Sequence, residues 1–410
     1  MSGSPVAPAP HHVPPELVID YAFSDQPGVD RCPFSANAGI HDLPDIFYSR
    51  RARTTPGWVI AAADYIREAY GAPEIFSSRN ATGFLRLLGK DFDLIPVEID
   101  PPAHRLYRSA IAGRFTPAVL NAMEDSLRAR AREMLGALVD QDTFEFETAY
   151  GRPYPVQIFL DIMGLPKARL QEFVSWEEQL LHGDSLEVVA DGARKITAYL
   201  ESVIPERKAN LGDDLLSDII RAKVGERPVT DDEIFAMSFL LFFGGLDTVA
   251  ATMTFIFKHL AENPEDQALL RAEPELIPGA IEEFLRAYSV VSSPRVVAED
   301  VEFHGVSMKK GDRVLLAAAL AGRDPEAFDN ADKVDLRRKN VRHLAFASGN
   351  HICLGAPLAR RELRITLEEW MRASPFEIAP GDRAVTRAQG VFDVQRLPLA
   401  WTRAGSPRAP

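Results

Sequence analysis

The chain has 410 residues, of which 46% are hydrophobic, and a formal net charge of −13 at pH 7. This length and composition predict a globular protein with a large core, formed by one large domain or roughly two to three smaller ones. The acidic balance argues against general binding to nucleic acid or to an anionic membrane surface. The only two cysteines are Cys32 and Cys353. They exclude a disulfide framework and fit an intracellular, cytoplasmic location.

The two ends of the chain differ in composition from the rest. Residues 1–16 are rich in Pro, Ala, Ser and His and lack the charged-then-apolar order of a signal peptide, so we expect a disordered tail. Residues 404–410 predict a similar loose end. Between them, residues 17–403 contain no internal repeat and no linker, which indicates a single domain.

A helix is predicted to begin near residue 100. Asp100 can cap it, and the two prolines that follow suit its first turn. His104 and Arg108 are four residues apart and therefore share one face of this helix. The alternative is an exposed charged face with no ligand. The stretch before it, residues 76–99, is predicted to be irregular.

The stretch from Ile234 to Phe257 predicts a long, buried helix. A capping box between Thr230 and Glu233 marks its start. Length and apolarity alone would permit a membrane span. Asp247, a pair of glycines and three threonines within the stretch, and the lack of a second such segment, favour a helix in the core of a large protein.

Two glycines interrupt this helix. Gly244 and Gly245 are each about 1 kcal/mol less favourable than alanine at such positions, so they need a compensating role. The hydroxyl of Thr248 can reach the Gly244 carbonyl and open the helix, which makes room for a small ligand. A buried Asp247 beside that hydroxyl suggests a pair that delivers protons. The alternative is a threonine that only packs in the helix.

Residues 346–357 predict a glycine-rich loop that leads into a helix. Gly349 and Gly355 permit close backbone approaches, and Pro357 suits the first helical turn. Cys353 then lies just before a helix N-terminus, whose partial positive charge favours thiolate over thiol. This arrangement predicts a ligand position. The alternative is a small buried cysteine in a tight turn.

The spacing in this loop resembles the haem-ligand loop of the cytochrome P450 monooxygenases, through Phe346, Gly349, His351, Cys353 and Gly355. The resemblance implies haem b (iron protoporphyrin IX) as cofactor, with the Cys353 thiolate as the ligand of the metal. It implies that the haem propionates are bound by His104, Arg108 and Arg295. It also implies that further cofactor contacts come from Gly244, Phe346, His351 and Gly355.

The resemblance extends to the glycine pair and covers roughly Ile60 to Trp401. The stretch from Gly244 to Thr248 resembles the oxygen-activating groove of the same family, which implies that Thr248 stabilises the activated oxygen and that Asp247 relays protons from solvent. The implied fold is mainly α with small β-sheets, and its haem is buried between the long central helix and the helix after Cys353. Glu283, Arg286 and Arg338 match a structural ion-pair motif, with Arg337 as a rival for Arg338.

The type of P450 that the chain resembles is the soluble bacterial camphor-hydroxylase type. Phe92 stands where that type has a substrate-binding tyrosine, and Ser293 stands where it has an aspartate near a propionate. We therefore expect an apolar pocket that selects a terpenoid or norisoprenoid-like substrate by shape. The predicted pocket residues are Phe84, Phe92, Leu240, Phe243, Val291 and Phe392.

The family chemistry uses O₂ and two electrons. Because the haem domain takes up nearly the whole chain, the resemblance implies a separate iron–sulfur ferredoxin with its NAD(P)H-dependent ferredoxin reductase. A basic face beside Cys353 is expected to suit this acidic donor; its residues are Arg105, Arg108, Arg360, Arg361 and Arg364.

Two alternatives remain open. A haem-thiolate peroxygenase would use hydrogen peroxide without a donor, and the pair of Asp247 and Thr248 argues against it. A haem carrier or sensor without enzymatic activity would need neither this pair nor the basic face.

Overall fold

The computed structural model of the protein describes residues 8–52 and 55–402. Its helices are α1 Pro33–Ala36, α2 Ala63–Gly71, α3 Phe84–Leu87, α4 Ala103–Ala112, α5 Pro117–Gly136, α6 Pro153–Met163, α7 Leu170–His182, α8 Leu186–Ala209, α9 Leu215–Arg221, α10 Asp231–Gly245, α11 Thr248–Glu262, α12 Pro264–Ala272, α13 Ile277–Ala287, α14 Ala318–Ala321 and α15 Ala356–Trp370. The strands are β1 Ile46–Ser49, β2 Gly57–Ile60, β3 Phe76–Ser77, β4 Thr143–Glu145, β5 Lys223–Val224, β6 Arg227–Pro228, β7 Ser293–Val297, β8 Val301–Phe303, β9 Val306–Met308, β10 Arg313–Leu316, β11 Phe376–Ile378, β12 Val385–Ala388, β13 Phe392–Arg396 and β14 Pro398–Trp401.

The strands form small sheets around a helical body, which confirms the predicted mainly α fold. The largest sheet has the order β1-β2-β10-β7-β3. Within it β2 and β10 run parallel, whereas β10 and β7 pair antiparallel with Val314 opposite Arg295. This pairing holds Arg295 near the middle of the sheet. Strands β12 and β13 form a separate hairpin-like pair.

The predicted long helix is two helices. The capping box of Thr230 and Glu233 begins α10. The helix then stops at Gly245, and α11 starts at Thr248, so the break falls at Leu246 and Asp247. Every residue of α11 from position 250 to 261 is buried, as expected for a helix at the centre of a protein. Within the described ranges, no helix has the combination of length and hydrophobicity needed to cross a bilayer.

Two apolar clusters make up the core. One joins the largest sheet to α11, α13 and α15. The other lies among α6, α7, α8, α9 and α10. The break between α10 and α11 falls where the two clusters meet, because Leu246 belongs to the second and Ala251 to the first.

Two local predictions need correction. Residues 8–16, which we assigned to a disordered tail, contact the domain: Val13 is buried, and His12 Nε2 lies 2.7 Å from Asp312 Oδ2. Asp100 does not cap α4. Its carboxylate instead accepts hydrogen bonds from the Ser77 hydroxyl and, at 2.9 Å, from the backbone N–H of Ser78, because these donors lie closer to it than the first turn of the helix.

Candidate active site

A cavity of about 350 Å³ lies between the helix break and the loop before α15. Gly244 and Thr248 line one wall, and Cys353 and Gly355 line another. These two stretches are more than a hundred residues apart in the sequence, and the fold brings both to one space. The other predicted site residues that line the cavity are His104, Arg108, Leu240, Val291, Phe346 and His351.

The backbone of the cysteine loop is fixed by hydrogen bonds and by one required glycine. The Cys353 N–H donates to the Phe346 carbonyl at 2.9 Å and closes the loop. Gly349 has φ of +69°, and a Cβ there would lie 2.6 Å from the carbonyl oxygen of Tyr70. Only glycine fits this position without a shift of the backbone. Gly355 differs, because a Cβ there would meet only the Cys353 sulfur, at 3.8 Å.

The surroundings of Cys353 favour the thiol, whereas the sequence predicted that the helix N-terminus would favour the thiolate. Its exposed surface faces the cavity, and protein surrounds it elsewhere. Burial raises the pKa of the Cys353 thiol, although the N–H groups of Gly355 and Ala356 and the charge of Arg108 act in the opposite direction. The helix N-terminus alone therefore does not produce a thiolate here. A coordinating metal would do so, because a thiol bound to a metal ion is deprotonated.

The two glycines at the helix break do different things. Gly245 packs against α6, and a Cβ there would lie 2.4 Å from the ring of Phe159. A Cβ at Gly244 would meet no atom within 4 Å and would project into open space. The Thr248 hydroxyl donates to the Gly244 carbonyl at 3.3 Å, as predicted. Gly245 thus permits close packing, whereas Gly244 keeps the cavity wall free of a side chain.

Asp247 faces away from the cavity. Its Oδ1 accepts from Arg152 Nη1 and its Oδ2 lies beside His182 Nε2, both at 3.1 Å. Burial opposes ionisation, but His182, Arg152 and Arg387 outweigh it, so the pKa of Asp247 lies below its ordinary value. Asp247 and Thr248 are adjacent in the chain, yet the first belongs to a buried charged cluster and the second to the cavity wall.

Four basic side chains gather at one side of the site. His104, Arg108 and His351 line the cavity, and the rings of the two histidines are 4.2 Å apart. Arg295 is buried, and its Nη1 donates to the Pro294 carbonyl at 2.7 Å. Burial and the neighbouring charges of His104, Arg295 and Arg108 lower the pKa of His351 to about 3.

These four side chains form no ion pair with any carboxylate in the described part of the chain. The Asp100 carboxylate is a negative neighbour of His104 and Arg295 without forming an ion pair with them, so an anionic group beside the cluster would find basic side chains that no carboxylate in the described part of the chain pairs directly. The sequence-based expectation that propionates bind here stays a prediction.

The predicted substrate pocket needs two corrections. Leu240 and Val291 line the cavity, but Phe92 packs its ring against Phe235 on α10, at 6.2 Å between centroids. Phe392 packs against Phe34 in the core, at 5.6 Å between centroids. The neighbouring Val391 forms an isolated bridge with Val291, which does line the cavity. The side chains of Phe84 and Phe243 lie outside what the structure describes.

Several residues that line the cavity were not predicted. Thr252 is four residues after Thr248, and its position on the same helical face could have indicated it. Phe159 and Val97 also line the cavity. They come from distant segments, and no local pattern in the sequence marks them. The same holds for Arg152 and His182 beside Asp247.

The predicted structural ion pairs are present as contacts. Arg286 and Glu283 pair at 2.7 Å, and Arg338 Nε lies 3.0 Å from Glu283 Oε2. Arg337, the rival, pairs instead with Glu273 near the surface.

The predicted basic face beside Cys353 is largely neutralised. Arg360 pairs with Glu282 at 2.6 Å, and both Arg361 and Arg364 pair with Glu124 at 2.9 and 2.8 Å. Among the described residues, Arg105 and Arg108 form no ion pair. The face therefore presents less free positive charge than its sequence suggests.

A mainly helical fold, with a cysteine loop facing a glycine-broken helix across a cavity, defines the haem-thiolate class of protein. The family model for cytochrome P450 matches residues 179–398. A probable cytochrome P450 127A1 from Sinorhizobium fredii is 36% identical over 405 residues, with 96% of this chain and 97% of the relative covered.

Solved structures of cytochromes P450 are also similar to this chain over nearly its whole length. The crystal structure of cytochrome P450 CYP101C1 superposes with a TM-score of 0.85 at 32% identity and covers 96% of this chain and 100% of its own. The crystal structure of CYP101J2 gives a TM-score of 0.84 at 29% identity, with 97% and 100% covered. The chain belongs to the cytochrome P450 family.

The cofactor of this family is haem b, and the residues present fit it. Cys353 offers a sulfur ligand at the cavity wall. Arg108 offers a positive charge for a propionate there, the rings of His104 and His351 offer hydrogen-bond donors, and the guanidinium of Arg295 lies buried close to His351. Gly244 leaves space on the facing wall.

Proposed function

We propose that the chain is a haem-thiolate monooxygenase that hydroxylates a small apolar compound, of terpenoid or norisoprenoid type, with O₂. Its electrons come from an iron–sulfur ferredoxin and an NAD(P)H-dependent ferredoxin reductase. The observation that carries the proposal is the meeting of Cys353 and the Gly244–Thr248 stretch on opposite walls of one cavity. A relative named steroid C26-monooxygenase, from Mycobacterium tuberculosis, is 29% identical over 391 residues and supports the reaction class.

Bound haem supplies the oxygen activation and insertion chemistry, and the protein supplies position and protons. Cys353 holds the cofactor from one side. On the other side, the Thr248 hydroxyl is held at the Gly244 carbonyl, at 3.3 Å, where it can donate to a small ligand in the space that Gly244 leaves open. Asp247 holds a proton-accepting carboxylate one residue away, inside a charged cluster.

The apolar character of the substrate follows from the residues near this space. Leu240, Val291 and Val97 present hydrocarbon to the cavity, and so does the ring of Phe159. Phe92, which replaces a tyrosine of the camphor-hydroxylase type, packs away from the cavity. The substrate is therefore selected by shape, without a directed hydrogen bond from this position.

The first experiment is the reduced carbon monoxide difference spectrum. The wild type should show the long-wavelength band of thiolate-ligated haem, and Cys353→Ser should lose it. Cys32→Ser is the matched control, because Cys32 lies at the start of α1, outside the residues that line the cavity. A band that survives in the Cys353 variant would overturn the proposed ligand.

The second experiment tests the substrate class. Spectral titration of the ferric protein with compact terpenoid hydrocarbons and with their ketones should give tighter binding for the hydrocarbons. Tighter binding of camphor than of the parent hydrocarbon would contradict the proposed apolar selection. Product formation that requires reduced ferredoxin, and that hydrogen peroxide does not replace, distinguishes the monooxygenase from a peroxygenase.

A further inference from the structure

A buried cluster of charged side chains lies behind the helix break, on the side away from the cavity. Asp247 is at its inner end, with Arg152 and His182 each 3.1 Å from a carboxylate oxygen. The side chains of Asp247 and His182 are 1% and 0% exposed. His182 is the last residue of α7, so its imidazole reaches Asp247 from a different element.

The cluster continues to the protein surface. His182 Nε2 lies 3.8 Å from Asp393 Oδ2 on β13. Arg387 Nη2 on β12 lies 2.7 Å from both Asp393 and Glu178. The Glu178 side chain is 41% exposed, whereas Asp393 is 2% exposed. The carboxylate oxygens of Glu178 and Asp393 lie within 4.8 Å of one another and of His182, a separation that one water molecule can bridge.

The charges of the cluster do not balance. Its carboxyl groups are Glu147, Glu177, Glu178, Asp247 and Asp393, and its basic groups are Arg152, Arg387 and His182. In a low-dielectric interior such an excess of carboxyl groups favours bound protons. Burial raises the pKa of Asp393, and it raises that of Glu177 well above its ordinary value. The pKa of Asp247 is lowered instead. Of the two carboxyl groups next to His182, Asp393 is therefore the one that holds a proton more readily.

Only one ring nitrogen of His182 faces the two aspartates. Its Nε2 lies between Asp247 and Asp393, while its Nδ1 is buried with no hydrogen-bond partner among the described residues. Nε2 is therefore the ring atom through which a proton could pass between the two aspartates. Arg387 occupies the space beside Asp393 and Glu178, which argues against a metal ion there.

We propose that His182 is a proton-relay residue that acts through Asp247 and connects it to the surface by way of Asp393 and Glu178. Neutral His182 accepts the proton of Asp393 at Nε2 and becomes an imidazolium ion. It then passes this proton to Asp247 Oδ2 and returns to its neutral form. The Asp393 carboxylate takes a new proton from solvent through Glu178, so protons balance and no electron moves. This relay rests on the proposed function, because it supplies the protons that the reaction consumes.

The test uses the haem-loaded protein and compares His182→Gln with a matched control. Glutamine keeps a hydrogen-bond donor near Asp247 but cannot relay a proton. The control is His259→Gln, since His259 is also buried and paired with a carboxylate, Asp266, at 2.7 Å. His182→Gln should lower the rate of product formation by on the order of a hundredfold, the low end of what a positioned proton-transfer group contributes. His259→Gln should keep both rate and pH profile.

A second readout does not depend on activity. In ¹⁵N-histidine-labelled holoenzyme, the ring signals absent from His182→Gln should show the hydrogen of the neutral ring on Nδ1 and a free lone pair on Nε2. Asp393→Asn should change the Nε2 signal, because the group that faces this nitrogen is altered. A hydrogen on Nε2 of the neutral ring, or an unchanged rate and pH profile in His182→Gln, overturns the relay.

The outcomes separate the relay from the proposed function. A wild-type protein without the thiolate-type carbon monoxide band contradicts the proposed function. Variants that keep this band and the wild-type rate contradict the relay alone. If His182→Gln does not take up haem, Asp393→Asn tests the relay from the other side, and an unchanged rate and pH profile in that variant overturns it.

Discussion

Arg286 donates hydrogen bonds from Nε and Nη2 to the two carboxylate oxygens of Glu283, at 2.8 and 2.7 Å. Both side chains are 0% exposed. The guanidinium also donates to three backbone carbonyls in residues 322–333. A charge buried so completely is tolerated because every donor has an acceptor. The pair therefore fixes α13 to the segment that leads towards the cysteine loop.

Removal of one partner should destabilise the protein strongly. We expect Glu283→Gln to lower the free energy of unfolding by about 3–5 kcal/mol, because it leaves Arg286 and Arg338 beside a neutral group in the core. Urea unfolding of the haem-loaded protein, followed by haem absorbance, measures this change. The control is Glu172→Gln in the exposed pair with Arg169, for which we expect little or no change in unfolding free energy because solvent screens the pair. Equal effects in the two variants would contradict the structural role.

The two glycines of the helix break should respond differently to alanine. Gly245→Ala places a methyl group 2.4 Å from the Phe159 ring, so we expect a loss of about 1–3 kcal/mol in unfolding free energy. Gly244→Ala meets no protein atom within 4 Å and should stabilise the helix by up to about 1 kcal/mol. It should instead weaken cyanide binding to the ferric protein by about tenfold or more, equal to ~1.4 kcal/mol. Unchanged cyanide affinity would show that this space does not receive the ligand.

The Thr248 hydroxyl should determine what fraction of the NADH consumed leads to product. Thr248→Ala should uncouple NADH consumption from product formation, with a decrease of roughly tenfold in product per NADH and a matching rise in hydrogen peroxide. Thr248→Ser, which keeps the hydroxyl, should restore most of the coupling. Thr254→Ala is the control, because Thr254 makes the same kind of bond to the carbonyl four residues earlier, at 2.7 Å, but is buried in the core. Full coupling in Thr248→Ala would reject the assigned role.

Lowering the pH should weaken the ion pairs that Glu282 forms with Arg360 and His343, near the cysteine loop. Glu282 is partly buried, but its hydrogen bonds with Arg360 and His343 outweigh this burial and lower its pKa to about 2. A carboxyl group whose pKa is lower in the folded state stabilises the protein above its unfolded pKa, near 4.5, and this contribution is lost as the pH falls towards 2. Glu282→Gln should therefore lower the unfolding free energy at pH 7, by no more than about 3 kcal/mol before solvent screening.

The same variant should differ less from wild type at acid pH. Urea unfolding of both proteins at neutral pH and again near pH 3 measures this convergence. A constant difference at the two pH values would show that Glu282 is not responsible.

The residues that the sequence predicted correctly belong to contiguous motifs. The cavity contacts of Cys353 and Thr248 follow from their immediate neighbours, because a tight turn and a helix break are local structures. Arg338 could be separated from Arg337 only by the fold, since both lie in one short loop. Phe392 was wrong, because the hairpin turns its ring into the core against Phe34, a contact that local sequence does not indicate.

The partners of Asp247 could not be predicted in this way. His182 and Arg152 are 65 and 95 residues away in the sequence. Nothing in the composition around them indicates that they meet Asp247. Such contacts depend on how α6 and α7 pack against the helix break, which is a property of the whole fold.

The ion pairs of Arg360, Arg361 and Arg364 with Glu124 and Glu282 have a consequence for how an electron donor finds this protein. Because these guanidinium groups already have carboxylate neighbours, their long-range fields largely cancel beyond about 10 Å at ordinary ionic strength. Diffusional encounter then gains little from charge, and the rate of complex formation should change only weakly with added salt. For the proposed ferredoxin, short-range fit at this face should then matter more than attraction at a distance, with Arg105 and Arg108 as the cations of the face that form no ion pair among the described residues.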